Sequence, residues 1–300
     1  MKDILECCIM CPHECKVNRR ENKKGKCGAG ANVKIALVST HEYEEPCISK
    51  LHGSGTIFFS NCNLKCVFCQ NYKISTEGLG KEYSVEELAD IMIMQQVKGV
   101  NNINLVTPTI YAYQIVQAIK IAKEKGLNIP IIYNSSGYES METLKMLEGY
   151  IDVYLPDFKY YDNDVALKYS NVKNYFEYTS AAIKEMYRQV GNPVFDENGI
   201  IQKGVIVRHL ILPNYTSQTK KILNWIKENL GKEAYVSVMA QYFPTNQSTK
   251  YEKIARKINK IELKMIENYL YDLGLENGYI QKLGKCEECY VPNFENKKED

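Results

Sequence analysis

Three cysteines, Cys62, Cys66 and Cys69, fall within eight residues of the stretch SNCNLKCVFCQN. Thiolates are the ligands of soft ions and of iron–sulfur clusters. Four of them close a four-iron cube, whereas three leave one iron open to another molecule. The same difference separates closed structural zinc sites from open catalytic ones. A ferredoxin run would carry its fourth cysteine a few residues later, but here the next is Cys286. A zinc knuckle borrowing a distant ligand is the competing reading. A second group, Cys8, Cys11, Cys15 and Cys27, supplies four thiols close together, with Cys7 and His13 as alternative ligands. That set suffices for a closed tetrahedral centre, and spacing leaves open whether zinc or an auxiliary iron–sulfur cluster fills it. Cys286-x2-Cys289 is a weaker CxxC pair, and Cys47 has no evident partner.

The rest of the composition is ordinary. Of 300 residues, 45 % are hydrophobic and 25 % charged, and the formal net charge is +2. Nothing in that balance draws the chain to nucleic acid or to an anionic membrane. The basic run NRRENKKGK (18–26) is short enough to be a solvated loop. The opening MKDILECC lacks the apolar stretch of a secretory signal, and no later run is long enough to span a bilayer. The expectation is a cytoplasmic protein, where eleven cysteines stay reduced and argue for metal chemistry over disulfides.

Elements that would position these thiols alternate along the chain. GTIFFS (55–60) reads as a buried strand just before the three-cysteine loop. Ser84 with Glu87 opens a helix, INLVTP (103–108) is a second strand, and a helix runs from Tyr111 to Lys125. IPIIYNSS (129–136) and DVYLPDFK (152–159) are further strands, separated by a helix capped by Ser140. A tyrosine-rich helical stretch and a hairpin turning on Glu197-Asn198-Gly199 lead to strands 205–213 and 234–244. Helices follow at 216–231 and, in this reading, from Lys250 to Leu273. Six strand–helix units with doubly buried strands predict an α/β fold with a parallel sheet, an open or partial barrel. Chemistry on such barrels sits at the C-terminal strand ends, where the three-cysteine loop falls. The expected organisation is a cysteine-rich metal-binding segment (1–50), the barrel (51–280) and a tail with the CxxC (281–300).

CxxxCxxC after the first strand of such a barrel resembles the signature of radical S-adenosylmethionine (SAM) enzymes. Over most of its length the chain is similar to the activating enzymes of glycyl-radical enzymes, especially the pyruvate formate-lyase activating enzyme-like (PflX-like) branch. The resemblance implies a partial (β/α)6 barrel, a 4Fe-4S cluster on Cys62, Cys66 and Cys69, and SAM chelated to the open iron. It further implies reductive cleavage of SAM to a 5′-deoxyadenosyl radical that abstracts hydrogen, and an electron donor such as flavodoxin or ferredoxin. CVFCQN looks like the activases' CxYCHN, with Gln70 in place of histidine. Their Gly-Gly-Glu-Pro segment corresponds to LVTPT, so Thr107 stands where the SAM amino group is held. NSSG places Asn134 at an aspartate position, PDFK places Lys159 opposite the SAM carboxylate, VRHLILPN places Arg208 at the site, and MAQYFP places Gln241 there. The substrate is a glycyl-radical protein by resemblance. A small molecule or peptide is the alternative within the class, and a zinc-stabilised module without catalysis the alternative outside it.

Overall fold

The computed structural model describes residues 4–283 and Phe294. Among these residues ten strands form one sheet in the order β10-β9-β8-β6-β5-β4-β2-β1-β3, with β7 paired to β8. They are β1 (Val33–His41), β2 (Ser54–Phe59), β3 (Lys81–Tyr83), β4 (Ile103–Val106), β5 (Ile131–Ser135), β6 (Val153–Pro156), β7 (Val194–Phe195), β8 (Ile201–Leu210), β9 (Tyr235–Met239) and β10 (Gly278–Ile280). From β2 through β4, β5, β6, β8 and β9 to β10 every pairing is parallel. The helices are α1 (Pro46–Ser49), α2 (Tyr72–Ser75), α3 (Val85–Val97), α4 (Ala112–Glu124), α5 (Met141–Leu147), α6 (Asn163–Ser170), α7 (Tyr175–Val190), α8 (Thr216–Leu230) and α9 (Lys260–Leu273). The expected α/β partial barrel is present, with six strand–helix units and a seventh parallel strand, β10.

Alternation along the strands builds two cores. Ile103, Leu105, Ile131, Tyr133, Tyr154, Val205, Val207, Val236 and Val238 face outward and pack under the helices. On the inner face Ile132, Val153, Leu155 and Ile206 form a smaller cluster, closed by Cys47 and Ile48 of α1. The segment between the antiparallel strands β1 and β2 therefore enters the barrel and fills its floor.

Local signals behave as their chemistry requires. The Ser84–Glu87 capping box starts α3, and the Ser140 hydroxyl accepts the Thr143 N–H at the start of α5. The hairpin β7–β8 turns where the Asp196 carboxylate accepts the N–H groups of Asn198 and Ile200. One expectation fails. The last helix begins at Lys260, not Lys250, because Asn259 and Glu262 form a capping box there. Ile254 and Ile258 still reach the core, but from a 3-10 turn (Glu252–Ile254) and the loop after it. The tyrosine-rich stretch is two helices, α6 and α7, broken at Asn171 and Asn174, both left-handed.

Candidate active site

The loop after β2 carries the three cysteines to the C-terminal end of the sheet. It is pinned by backbone bonds: Lys65 donates to the Ser170 carbonyl and Val67 to the Tyr169 carbonyl, at 3.0 and 2.8 Å. The Asn63 amide donates to the Tyr138 carbonyl at 2.7 Å. Cys66 Sγ lies 2.9 Å from the Ser170 hydroxyl, and Cys69 Sγ lies 3.2 Å from that of Ser75. Burial pushes the Cys62 thiol up to about 12 and that of Cys66 to about 11, and it raises Cys69 as well. Cys62 feels the charges of Cys66 and Cys69, and Cys66 feels that of Cys69, so the three sulfurs lie close together. Lys159 acts favourably on the thiolates of Cys66 and Cys69, and Lys65 on those of Cys62 and Cys69. Three free thiols on one pinned loop, with two cations at hand, fit a cluster that keeps one iron open. Loading it must displace the thiol protons.

Cys66 and Cys69 open into a cavity of about 490 Å³. Its wall carries inward residues from the ends of the successive parallel strands, among them Asn134, Asp157, Arg208 and Met239. Of the residues singled out in the sequence, Asn134, Lys159, Arg208 and Gln241 all line this cavity. Thr107 does not. It sits beside the lining residue Val106, with φ +62°, and donates its N–H to the Asn134 carbonyl. A β-branched residue in this left-handed region is strained. The strain falls where the resemblance has glycine.

Asp157 organises the wall. Its carboxylate meets Lys159 Nζ at 2.5 Å and Arg208 Nε at 2.9 Å. Burial alone would raise its pKa, but Arg208 and then Lys159 hold it below the usual range. Burial likewise opposes the charge of Lys159, yet Asp157 outweighs it and lifts the ammonium above its ordinary value. Arg208 Nη2 donates to Asn134 Oδ1 at 2.5 Å, and Nη1 stands 3.5 Å from Glu44. Gln241 accepts from Gln281 Nε2 at 3.0 Å. The neighbouring His209 points the other way, to the Phe158 carbonyl and the Thr219 hydroxyl, as strand alternation demands.

The sequence reading missed the acidic floor. Glu42, Glu44 and Glu45, just before α1, also line the cavity. Burial lifts Glu44 to about 7, against the pull of Arg208. The run Glu-Tyr-Glu-Glu-Pro was the available signal, but only the unrecognised strand β1 shows that it enters the barrel.

The four front thiols also come together. Cys8, Cys11, Cys15 and Cys27 line one small cavity with His13 and Arg19. Cys286 and Cys289 lie outside the described residues. Cys47 is buried in the floor and hydrogen-bonded with Tyr279.

The sequence profile of the Radical SAM superfamily matches residues 56–226. The chain belongs to that superfamily. The uncharacterized protein MJ0674 of Methanocaldococcus jannaschii is 34 % identical over 291 residues, covering 91 % of this chain and 78 % of that one. Among solved structures, Streptococcus suis SuiB bound to S-adenosylmethionine superposes with a TM-score of 0.54 at 18 % identity, over 74 % of this chain and 48 % of SuiB. The FeFe-hydrogenase maturase HydG from Carboxydothermus hydrogenoformans gives a TM-score of 0.51 at 15 % identity, over 77 % and 54 %. The chain thus spans about half the length of these two proteins, and at such identities the likeness is one of fold. No described helix is long and apolar enough to cross a membrane. As a radical SAM enzyme the chain is expected to use a 4Fe-4S cluster and SAM for radical chemistry.

Proposed function

We propose that this radical SAM enzyme abstracts hydrogen from its substrate in the manner of glycyl-radical-enzyme activating enzymes, drawing an electron from a donor such as flavodoxin or ferredoxin. The observation that carries this reading is the opening of Cys66 and Cys69 into the same cavity as Asn134, Lys159, Arg208 and Gln241. Cys62, Cys66 and Cys69 would hold the 4Fe-4S cluster, which when bound supplies the electron that cleaves SAM to methionine and the 5′-deoxyadenosyl radical. The chain's own work is to bind and to shield. Lys159 would offer its ammonium to the SAM carboxylate, and the backbone of the strand end at Thr107 would take the SAM amine. Asn134 and Asp157 hold Arg208 in place, and the α1 floor excludes water from below.

A second reading, hydrogen abstraction from a small molecule or peptide, is favoured by that closed acidic floor, because Glu44 and Glu45 bound the space left beside SAM. Anaerobic reconstitution with iron and sulfide, followed by reduction in the presence of SAM, tests the shared core. A brown protein that releases 5′-deoxyadenosine is expected. A colourless protein, or no 5′-deoxyadenosine from a fully loaded one, would overturn it. Adding a glycyl-radical protein and looking for its radical by paramagnetic resonance then separates the two substrates.

A further inference from the structure

We propose that Cys8, Cys11, Cys15 and Cys27 bind one zinc ion as a closed tetrathiolate, and that this centre balances the buried Arg19 and steadies the loop carrying Cys62. The inference does not rest on the radical reaction proposed above.

Size favours a single ion over a second cluster. The cavity among the four thiols is about 10 Å³, room for roughly one small sphere, which suits one zinc better than a four-iron cube. Among the described residues no three such side chains are yet closed at the distances of a common ion, so metal would draw the sulfurs inward by side-chain rotation. Backbone amides are already aimed at them. Cys11 accepts the N–H of His13, Cys27 that of Ala29 at 3.5 Å, and Cys15 that of Lys26 at 3.4 Å. Such bonds favour thiolates. Gly25 keeps the chain close: a Cβ there would lie 2.9 Å from both Cβ and Sγ of Cys15. Of the alternative ligands, Cys7 does not line the cavity, and His13 directs Nε2 to the Asn63 carbonyl at 2.8 Å.

Arg19 supplies the independent argument. It is 1 % exposed and lines this cavity. Nε and Nη1 donate to the carbonyls of Gly30 and Ile110, at 2.8 and 2.6 Å, while Nη2 has no hydrogen-bond partner among the described residues. The guanidinium also lies over the Tyr111 ring, 5.6 Å from its centroid, but no carboxylate among the described residues pairs with it, and burying a charge without a counter-charge is costly. Zinc with four thiolates carries two net negative charges and supplies one. The centre is tied to the active site on both sides. His13, between Cys11 and Cys15, holds Asn63 next to Cys62, and Arg19 holds Ile110 just beyond Thr107.

Metal analysis of the full chain after anaerobic reconstitution should find one zinc and about four irons per chain. Cys11→Ser and Cys27→Ser should lose the zinc and keep the iron, while Cys62→Ala, Cys66→Ala and Cys69→Ala should do the reverse. Should the front variants fold poorly, X-ray absorption at the zinc edge of the wild type still decides, with four sulfur neighbours near ~2.3 Å expected. Zinc with nitrogen or oxygen neighbours, zinc retained in both serine variants, or about eight irons and no zinc would overturn the assignment. In iron-free protein, alkylation of Cys62 followed by mass spectrometry should run several-fold faster in Cys11→Ser than in wild type. Equal rates would remove the loop-steadying role.

Discussion

Asp157 stands between two cations, and its loss differs from the loss of either. Asp157→Asn leaves Lys159 and Arg208 facing each other in a half-buried wall. Removing one member of a buried ionic group costs about 3 kcal/mol, so the urea midpoint should fall clearly; an unchanged midpoint would mean the wall is well solvated. Lys159→Met is gentler on the fold because Asp157 keeps Arg208. It should weaken SAM binding about tenfold, roughly 1–2 kcal/mol for a charge-assisted bond, with the cluster spectrum unchanged. Unaltered affinity, measured anaerobically with the cluster loaded, would move the carboxylate partner to Arg208. That Lys159, Arg208, Cys66 and Cys69 would meet at one cavity was legible from the family resemblance together with their place at strand ends. Asp157 was not singled out, since its role exists only once β6 and β8 are neighbours. Glu139 makes a separate prediction. It accepts hydrogen bonds from Thr109 and Tyr133, and burial lifts it from 4.5 to about 7. Between those values the folded chain holds a proton the unfolded chain has released, so this group's contribution is lost as pH rises. His209 opposes it: burial lowers its pKa from 6.5 to about 4, so its contribution is present above 6.5 and lost as pH falls. Comparison with Glu139→Gln isolates the first effect. The stability of wild type relative to the variant should fall from pH 4.5 to 7 by on the order of 3 kcal/mol at most, as read from urea midpoints. A gap independent of pH would show that Glu139 titrates normally.

At the scale of elements, the segment 42–49 shows how much a short piece can determine. α1 is only four residues long, yet Ile48 is fully buried against Ile132, Val153, Leu155 and Ile206. Ile48→Ala should cost about 3 kcal/mol, as large-to-small changes in tight cores do, and a thermal scan would register it. A cost below about 1 kcal/mol would mean that the floor collapses to fill the hole. Such an element is hard to read in advance. Helical periodicity needs two turns to show, and β1 before it is half-exposed, so its alternation is diluted by Lys34, Ser39 and Thr40. β10 escaped for a related reason: three residues carry no pattern, and Gly278 is there because a Cβ would strike the Val236 backbone. The long parallel strands were readable because both faces are buried and their apolar runs are unbroken. The misplaced start of α9 has the opposite cause. Ile254 and Ile258 keep helical spacing while lying in a turn and a loop, and the Asn259–Glu262 box was the better boundary signal.

On the scale of the whole chain, the cysteine-rich front and the barrel share one sheet. β1 lies within residues 1–50 and pairs antiparallel with β2 from Ile35–Phe59 to His41–Ser54. Every residue of β2 is buried. A chain beginning near Lys50 would therefore lose more than a metal site. It would bare the edge of an apolar strand, remove the α1 floor, and release Ile110 and Asn63 from Arg19 and His13. Exposed apolar edges invite pairing with other chains, and the inner cluster of Ile132, Val153, Leu155 and Ile206 would face water. The expected product is an aggregating protein without a cooperative unfolding transition, even with iron and SAM supplied. The comparison with the point variants makes this discriminating, since Cys11→Ser and Cys27→Ser keep β1 and α1 and should remain soluble. A soluble chain from residue 50 that unfolds cooperatively and still binds about four irons would show that the barrel closes without its front, and that β1 only decorates an edge already stable by itself.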